Sequence, residues 1–268
     1  MPESEATTPI VLCLSGLDPT GGAGLQADIE AVASMGAHAA AVATCLTVQT
    51  TSDVLAVQPV ATDLFIEQVR AVLEDMPARC VKIGALASVG VVEAIHSILR
   101  DYPDLPVVLD PVSTAGGGTP LHDADTRDAI VTLLLPQTTL LTPNSLEAFA
   151  LADGADSPEA CAMALLERGC DLVLVTGGHE PTPEVVNVLY GNHRKLEEWR
   201  WPRLPERYHG SGCTLAAACA GLLAQGMEPL GAVAEAQRYT WETLRHARRL
   251  GMGQLIPHRL FWTRDDGA

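Results

Sequence analysis

The chain has 268 residues, of which 47% are hydrophobic, and its 17 Lys and Arg against 33 Asp and Glu give a formal charge of −16. That acidity argues against a nucleic-acid or anionic-membrane partner, since both need basic patches. It does not argue against a phosphate ligand, which backbone amides and a divalent metal can hold, and the length allows one large domain or two small ones.

Residues 1–9 are polar and acidic, without a signal-peptide apolar segment, and are expected to form a disordered tail. A buried strand over 10–14 precedes a helix over 24–35, where Leu25, Ile29 and Val32 recur at helical spacing. Further strands are predicted over 40–44, 80–83, 107–109, 139–141 and 172–175. They alternate with helices over 64–73, 89–100, 125–134 and 161–168. Near-continuous apolar strands alternating with helices mean a mostly parallel sheet covered on both faces. The pattern then changes to a hairpin, 185–190 with 195–201 around Gly191-Asn192, and ends in two long helices over 213–225 and 231–250. With no internal repeat or low-complexity linker, a single domain over 10–262 is the simplest reading. The seven cysteines, at 13, 45, 80, 161, 170, 213 and 219, show no CxxC spacing. They read as reduced core thiols of a cytoplasmic protein. No apolar run reaches the roughly 18 residues that a membrane span needs.

Ligands of such folds bind at the C-terminal ends of the parallel strands, where the unusual loops of this chain fall. One is Ser15-Gly16-Leu17-Asp18-Pro19-Thr20-Gly21-Gly22-Ala23-Gly24; others contain Asp110-Pro111, Thr142-Pro143-Asn144 and Thr176-Gly177-Gly178-His179. The most informative stretch is His209-Gly210-Ser211-Gly212-Cys213-Thr214, which runs into an alanine-rich helix. Its turn amides and the positive end of the helix dipole would converge on one spot, an anion site with a thiol in the first turn. The motif alone also fits a plain glycine loop before a core helix. The 15–24 loop lacks a Walker lysine and does not match GxGxxG, but its glycines allow close backbone approach to a ligand. Asp28 is either a solvated first-turn acid or a carboxylate accepting from a polar ligand. Gln49, just past a strand, has an amide able to donate to and accept from a heterocycle edge. Asp110 ends a wholly apolar strand, where a carboxylate is costly without a partner such as Mg²⁺. Asn144 and Glu147 share a helix face and would complete an oxygen ligand set; Glu147 fits equally the third member of a capping box. His179 and His209 read as structural or orienting.

In this order the motifs resemble the bacterial hydroxymethylpyrimidine/phosphomethylpyrimidine kinases of thiamine biosynthesis, within the ribokinase-like superfamily. The resemblance also takes in Leu46-Thr47-Val48-Gln49 and Val81-Lys82-Ile83-Gly84 and runs almost end to end. It implies a three-layer α/β/α fold with a mostly parallel central sheet. It implies transfer of the γ-phosphoryl of ATP, with Mg²⁺, to 4-amino-5-hydroxymethyl-2-methylpyrimidine and then to its monophosphate. Gly16, Asp28 and Gln49 would hold the pyrimidine, and Gly210, Ser211, Gly212 and Cys213 the transferring phosphoryl, with Cys213 as proton acceptor. Asn144, Thr176 and Gly178 would hold ATP phosphates, and Asp110 and Glu147 the metal. A homodimer is a further expectation from the resemblance. Two lysines common in relatives are replaced here, by the glycine run at 116–118, a candidate flap, and by Thr176. Pyridoxal or pyridoxine kinase on the same fold is the alternative reading, and a non-catalytic pyrimidine sensor a third.

Overall fold

The computed structural model describes residues 8–114, 118–178, 180 and 182–263. Most of the expected N-terminal tail, most of the glycine run and all of His179 lie outside these residues.

Nine strands form one sheet in the order β3-β2-β1-β4-β5-β6-β7-β8-β9. The parallel centre is β1 (Ile10–Leu17), β2 (His38–Gln49), β4 (Ala78–Ile83), β5 (Val107–Leu109), β6 (Leu140–Leu141) and β7 (Leu172–Val175). β3 (Val54–Pro59) is antiparallel to β2 at one edge, and β8 (Glu184–Gly191) with β9 (Arg194–Pro202) extends the other edge as an antiparallel hairpin. The helices are α1 (Gly24–Ser34), α2 (Thr62–Asp75), α3 (Val89–Leu99), α4 (Ala124–Ala129), α5 (Ser145–Leu151), α6 (Pro158–Glu167), α7 (Ser211–Ala224) and α8 (Pro229–Arg245).

Strand alternation divides the interior into two cores. Val11, Cys13, Cys80, Val108 and Leu174 face α1, α7 and α8, whereas Leu12, Leu14, Ile83, Leu109 and Val173 face the layer that includes α3 and α6. This is the expected three-layer α/β/α arrangement. Helix α7 is buried from Cys213 to Ala224, which explains its small residues. A Cβ at Gly221 would stand 2.9 Å from Met35 Cβ.

Several elements depart from the sequence reading, among them the last helix, expected over 231–250, which ends at Arg245. The helix expected over 125–134 is α-helical only to Ala129; Ile130–Leu134 is a wider π turn and Leu135–Gln137 a 3₁₀ turn. Pro136 has no N–H for the carbonyl four residues back, so an α-helix cannot run through it. Strand β2 continues five residues past Thr44 to pair with β3, which the sequence reading did not include. At that end Leu46 and Val48 are exposed and Thr47 and Gln49 line a cleft, so the alternation is inverted relative to a buried strand. The hairpin turn is Asn192-His193, both with positive φ (49° and 53°), as a two-residue type I′ turn requires. Among the described residues no helix is long and apolar enough to cross a membrane.

Candidate active site

The chain winds outward from β1 to β2 on one side and resumes beyond β1 at β4, so the strand order reverses there. At the C-terminal ends of these strands lies a cleft of about 760 Å³. Its walls come from the β1–α1 loop, the end of β2, the loops after β5, β6 and β7, and the first turn of α7.

The anion turn is built by two glycines meeting. Gly210, the N-cap of α7, has φ +82°, and a Cβ there would fall 2.0 Å from the Gly22 carbonyl oxygen. Any side chain at 210 would push apart the β1–α1 loop and the α7 turn. The Thr214 N–H and hydroxyl both donate to Gly210 O, at 3.0 and 2.8 Å. The N–H groups of Ser211, Gly212 and Cys213, in the first turn, have no intrahelical acceptor and face the cleft end of the helix. Arg259, from the C-terminal segment, locks this junction although it is only 1% exposed. Its Nε donates to Thr214 Oγ1 at 2.9 Å, its Nη1 to Gly21 O and Glu30 Oε2 at 3.2 Å each, and its Nη2 to Gly22 O.

The acidic side of the cleft is crowded with charge. Asp110, after β5, is nearly buried, and its Oδ2 has no hydrogen-bond partner. Burial raises its carboxyl above the usual range, opposed by the Lys82 ammonium. Glu147 is pushed up to about 8, by burial and then by the Asp110 charge. Glu147 also closes the α5 capping box: Asn144 N–H donates to Oε2 at 2.9 Å, and Glu147 N–H donates to Asn144 Oδ1 at 3.0 Å. Ionising both carboxyls side by side is thus costly, a cost that a cation would relieve, and Asp110 has an orphaned oxygen. Among the described residues no three His, Cys, Asp or Glu side chains form a preformed metal cage. The donor set suits a divalent ion that keeps most of its waters. The Cys213 thiol is buried beside Asp110; burial, then Asp110, push it well above the usual thiol range, and Lys82 pulls the other way.

Beneath the floor, Lys82 of β4 and Asp28 of α1 form an ion pair at 2.7 Å, both without exposed surface. Gly84 leaves room for it: a Cβ there would lie 2.2 Å from Ser15 Oγ and 2.6 Å from Lys82 Nζ. Burial raises the Asp28 carboxyl, and Lys82 opposes it.

On the opposite wall Asp18 ties down the β1–α1 loop. Its carboxylate accepts from Thr20 N–H at 2.8 Å and Ala23 N–H at 2.9 Å, and lies 2.7 Å from His209 Nε2. The same ring nitrogen lies 2.8 Å from the Gln49 side-chain amide. Beyond Asp110 the β6 and β7 loops are joined, Thr176 N–H donating to Pro143 O and Ser145 N–H to Thr176 O at 2.8 and 3.1 Å. Gly177 N–H donates to Asn187 Oδ1, and Asn187 Nδ2 to Gln237 Oε1, which also accepts from Trp201 Nε1. That chain anchors the Thr176–Gly178 backbone to β8, β9 and α8.

A model of the phosphomethylpyrimidine kinase family matches residues 18–258. The chain belongs to the phosphomethylpyrimidine kinase family. It is 36% identical over 254 residues to the hydroxymethylpyrimidine/phosphomethylpyrimidine kinase of Escherichia coli, covering 91% of this chain and 94% of that one. It is 35% identical to the thiamine biosynthetic bifunctional enzyme TH1 of Arabidopsis thaliana, covering 94% of this chain but about half (49%) of that protein. The fold is similar to Bacillus subtilis pyridoxal kinase solved with ADP (TM-score 0.87, 24% identity, 97% of this chain and 100% of that one). It is also similar to phosphomethylpyrimidine kinase from Clostridium difficile (TM-score 0.76, 30% identity, 88% and 100%).

In this member of the phosphomethylpyrimidine kinase family, Gly16, Gln49, Asp110, Asn144, Glu147, Thr176, Gly178, Gly210, Ser211, Gly212 and Cys213 all line the one cleft. Asp28 does not. The expectation that it contacts a ligand gives way to a buried ion pair, because a carboxylate with no exposed surface is committed to Lys82. Sequence reasoning gave no role to Asp18, Lys82 or Arg259. Lys82 interrupts an apolar strand and so carried a signal. Arg259 carried none, because Gly21, Gly22 and Glu30, three of its four partners, lie more than 200 residues away.

Proposed function

We propose that the protein transfers the γ-phosphoryl of ATP to the hydroxymethyl group of 4-amino-5-hydroxymethyl-2-methylpyrimidine, and a second phosphoryl to the resulting monophosphate. The observation that carries this reading is the meeting of the Gly210–Cys213 turn with Asp110 and Glu147 in one cleft. Phosphoryl transfer asks a protein mainly for positioning and for charge stabilisation on the equatorial oxygens, and a helix N-terminus facing two buried carboxylates has the parts.

The acceptor ring lies against Gly16 and Gln49, with its hydroxymethyl group toward the α7 turn. The turn amides of Ser211, Gly212 and Cys213 receive the transferring phosphoryl. Asn144, Thr176 and Gly178 hold the remaining phosphates, with backbone amides standing in for the absent lysines. Asp110 and Glu147 are the residues that would hold Mg²⁺, which when bound would neutralise charge on the phosphate oxygens. Cys213 acts as the proton acceptor once its own thiol proton has passed to solvent through the open cleft; burial and the Asp110 charge oppose that ionisation, and Lys82 favours it. The alcohol oxygen bonds to the γ-phosphorus as the bond to the β–γ bridging oxygen breaks, releasing ADP. Asp28 acts only from below, by holding Lys82. A homodimer belongs to the same reading, the exposed Leu46, Val48 and Leu55 of the β2–β3 ribbon being the apolar surface it would cover.

ADP release in a coupled assay tests the reading with the pyrimidine alcohol, its monophosphate and pyridoxal supplied separately. Turnover with the first two, at higher kcat/KM than with pyridoxal, is expected. Preference for pyridoxal would support the alternative kinase, and binding without turnover a sensor.

A further inference from the structure

We infer that His209 is a positioning residue which, held by Asp18, fixes which end of the Gln49 amide faces the acceptor ring, and so sets the preference of the site among hydroxymethyl heterocycles. The inference rests on the reading of Gln49 as a ring-binding residue given above.

The His209 ring is fixed by packing. It lies on Gly22, where a Cβ would stand 2.1 Å from Cδ2, and its backbone N–H donates to Leu255 O at 2.9 Å. Nε2 then meets two groups at once, Asp18 Oδ2 at 2.7 Å and the Gln49 amide at 2.8 Å. Burial alone would raise the Asp18 carboxyl, but bonds from His209 and Thr20 outweigh it and hold it below its usual value. An ionised carboxylate at 2.7 Å needs a hydrogen on Nε2, since a bare ring nitrogen would set lone pair against lone pair. Nε2 therefore has no lone pair left for a Gln49 N–H. The amide as placed has its nitrogen toward His209 Nε2 and its Oε1 3.0 Å from Thr47 Oγ1; turned end for end at the same position, Oε1 accepts from the Nε2–H and the nitrogen donates to Thr47 Oγ1, and the network is satisfied. The Thr47 hydroxyl in turn donates to Leu17 O at 3.0 Å.

Charge at Asp18 thus sets the tautomer of His209, and the tautomer sets the amide. What remains of Gln49 for a ligand is one acceptor position on its His209 side and one N–H on its Thr47 side. A 4-aminopyrimidine edge presents the complement, an amino N–H next to a ring nitrogen. Pyridoxal has no such adjacent pair, because its ring nitrogen is flanked by a methyl-bearing carbon and a C–H. Without the Nε2–H nothing holds Oε1 on this side, and the Asp18 carboxylate beside it draws the amide nitrogen there instead, so donor meets donor and the distinction fades.

The test is the discrimination ratio of pyrimidine alcohol over pyridoxal, measured both as kcat/KM and as dissociation constants by calorimetry. A ratio is unaffected by the fraction of each variant that folds. His209→Phe keeps a ring on Gly22 and loses the N–H; His209→Gln loses the ring and keeps an N–H within reach of Asp18. The ratio should fall at least about tenfold in His209→Phe and stay within about threefold of the native value in His209→Gln. Gln49→Leu should lower it comparably, and the double variant His209→Phe/Gln49→Leu should lower it no further. The inference is overturned if His209→Phe changes both substrates equally, or if Phe retains the ratio and Gln loses it. If Gln49→Leu lowers the ratio while His209→Phe does not, the role of His209 alone fails. A ratio unmoved by Gln49→Leu, or native protein that binds neither compound, rejects the reading of the ring site and this inference together.

Discussion

At the scale of single residues the site is governed by buried charge. Removing Lys82 leaves Asp28 as an uncompensated carboxylate without exposed surface. Lys82→Met should therefore cost about 3–5 kcal/mol of unfolding free energy, read by urea denaturation. Asp28→Leu/Lys82→Met should recover most of it, since removing both charges removes the desolvation penalty. Glu147 makes a prediction about pH. Its carboxyl rises from the usual 4.5 to about 8 in the folded protein, so the folded state holds a proton that the unfolded chain releases. Stability is then fully present below about pH 4.5 and declines as pH rises toward 8. Without divalent cation the Tm should fall over that window. Glu147→Gln, which can keep the capping box, should flatten the decline, and Mg²⁺ should reverse it in the native protein but not in the variant. These roles were only half legible in the sequence. Asp110 was marked by its place at the end of an apolar strand. The capping box and the carboxylate pairing of Glu147 are both real features of one side chain, so spacing alone offered no choice between them.

At the scale of elements, function concentrates in the first turn of α7. Gly210→Ala faces both a φ of +82° and a Cβ contact of 2.0 Å with the Gly22 carbonyl, so it displaces the turn. Loss of one such donor costs about 10²–10³ in kcat. Cys213→Ser keeps a polar group able to accept a hydrogen bond from the attacking hydroxyl. Steady-state kinetics should show a larger kcat loss for Gly210→Ala than for Cys213→Ser; the reverse order would place the catalytic weight on sulfur. The β8–β9 turn gives a prediction confined to stability. His193 holds φ 53° on an exposed turn, so His193→Gly should stabilise the protein by up to about 1 kcal/mol without changing kcat. The sequence placed this hairpin around Gly191-Asn192, one residue before the Asn192-His193 turn. It did not extend β2 or reveal β3, because Thr47 and Gln49 point into the cleft and leave Leu46 and Val48 outside, so neither alternation nor burial resembles a core strand.

At the scale of the whole molecule, the strand–helix rhythm made the three-layer sheet legible. Apolar periodicity is local, and parallel strands buried on both faces read as continuous runs. What is not local was not legible. Arg259 joins the two glycine loops from the far end of the chain, and Asp18, His209 and Gln49 converge from three separate segments. The cleft is therefore assembled by tertiary contacts around motifs that the sequence exposes one at a time. The central claim, that this assembly moves phosphoryl groups onto a hydroxymethylpyrimidine, is tested most directly by phosphorus NMR after incubation with ATP, Mg²⁺ and the pyrimidine alcohol. A phosphomonoester resonance that gives way to a diphosphate pair, with matching ADP, is the predicted spectrum. ATP left intact while the alcohol binds would contradict the claim.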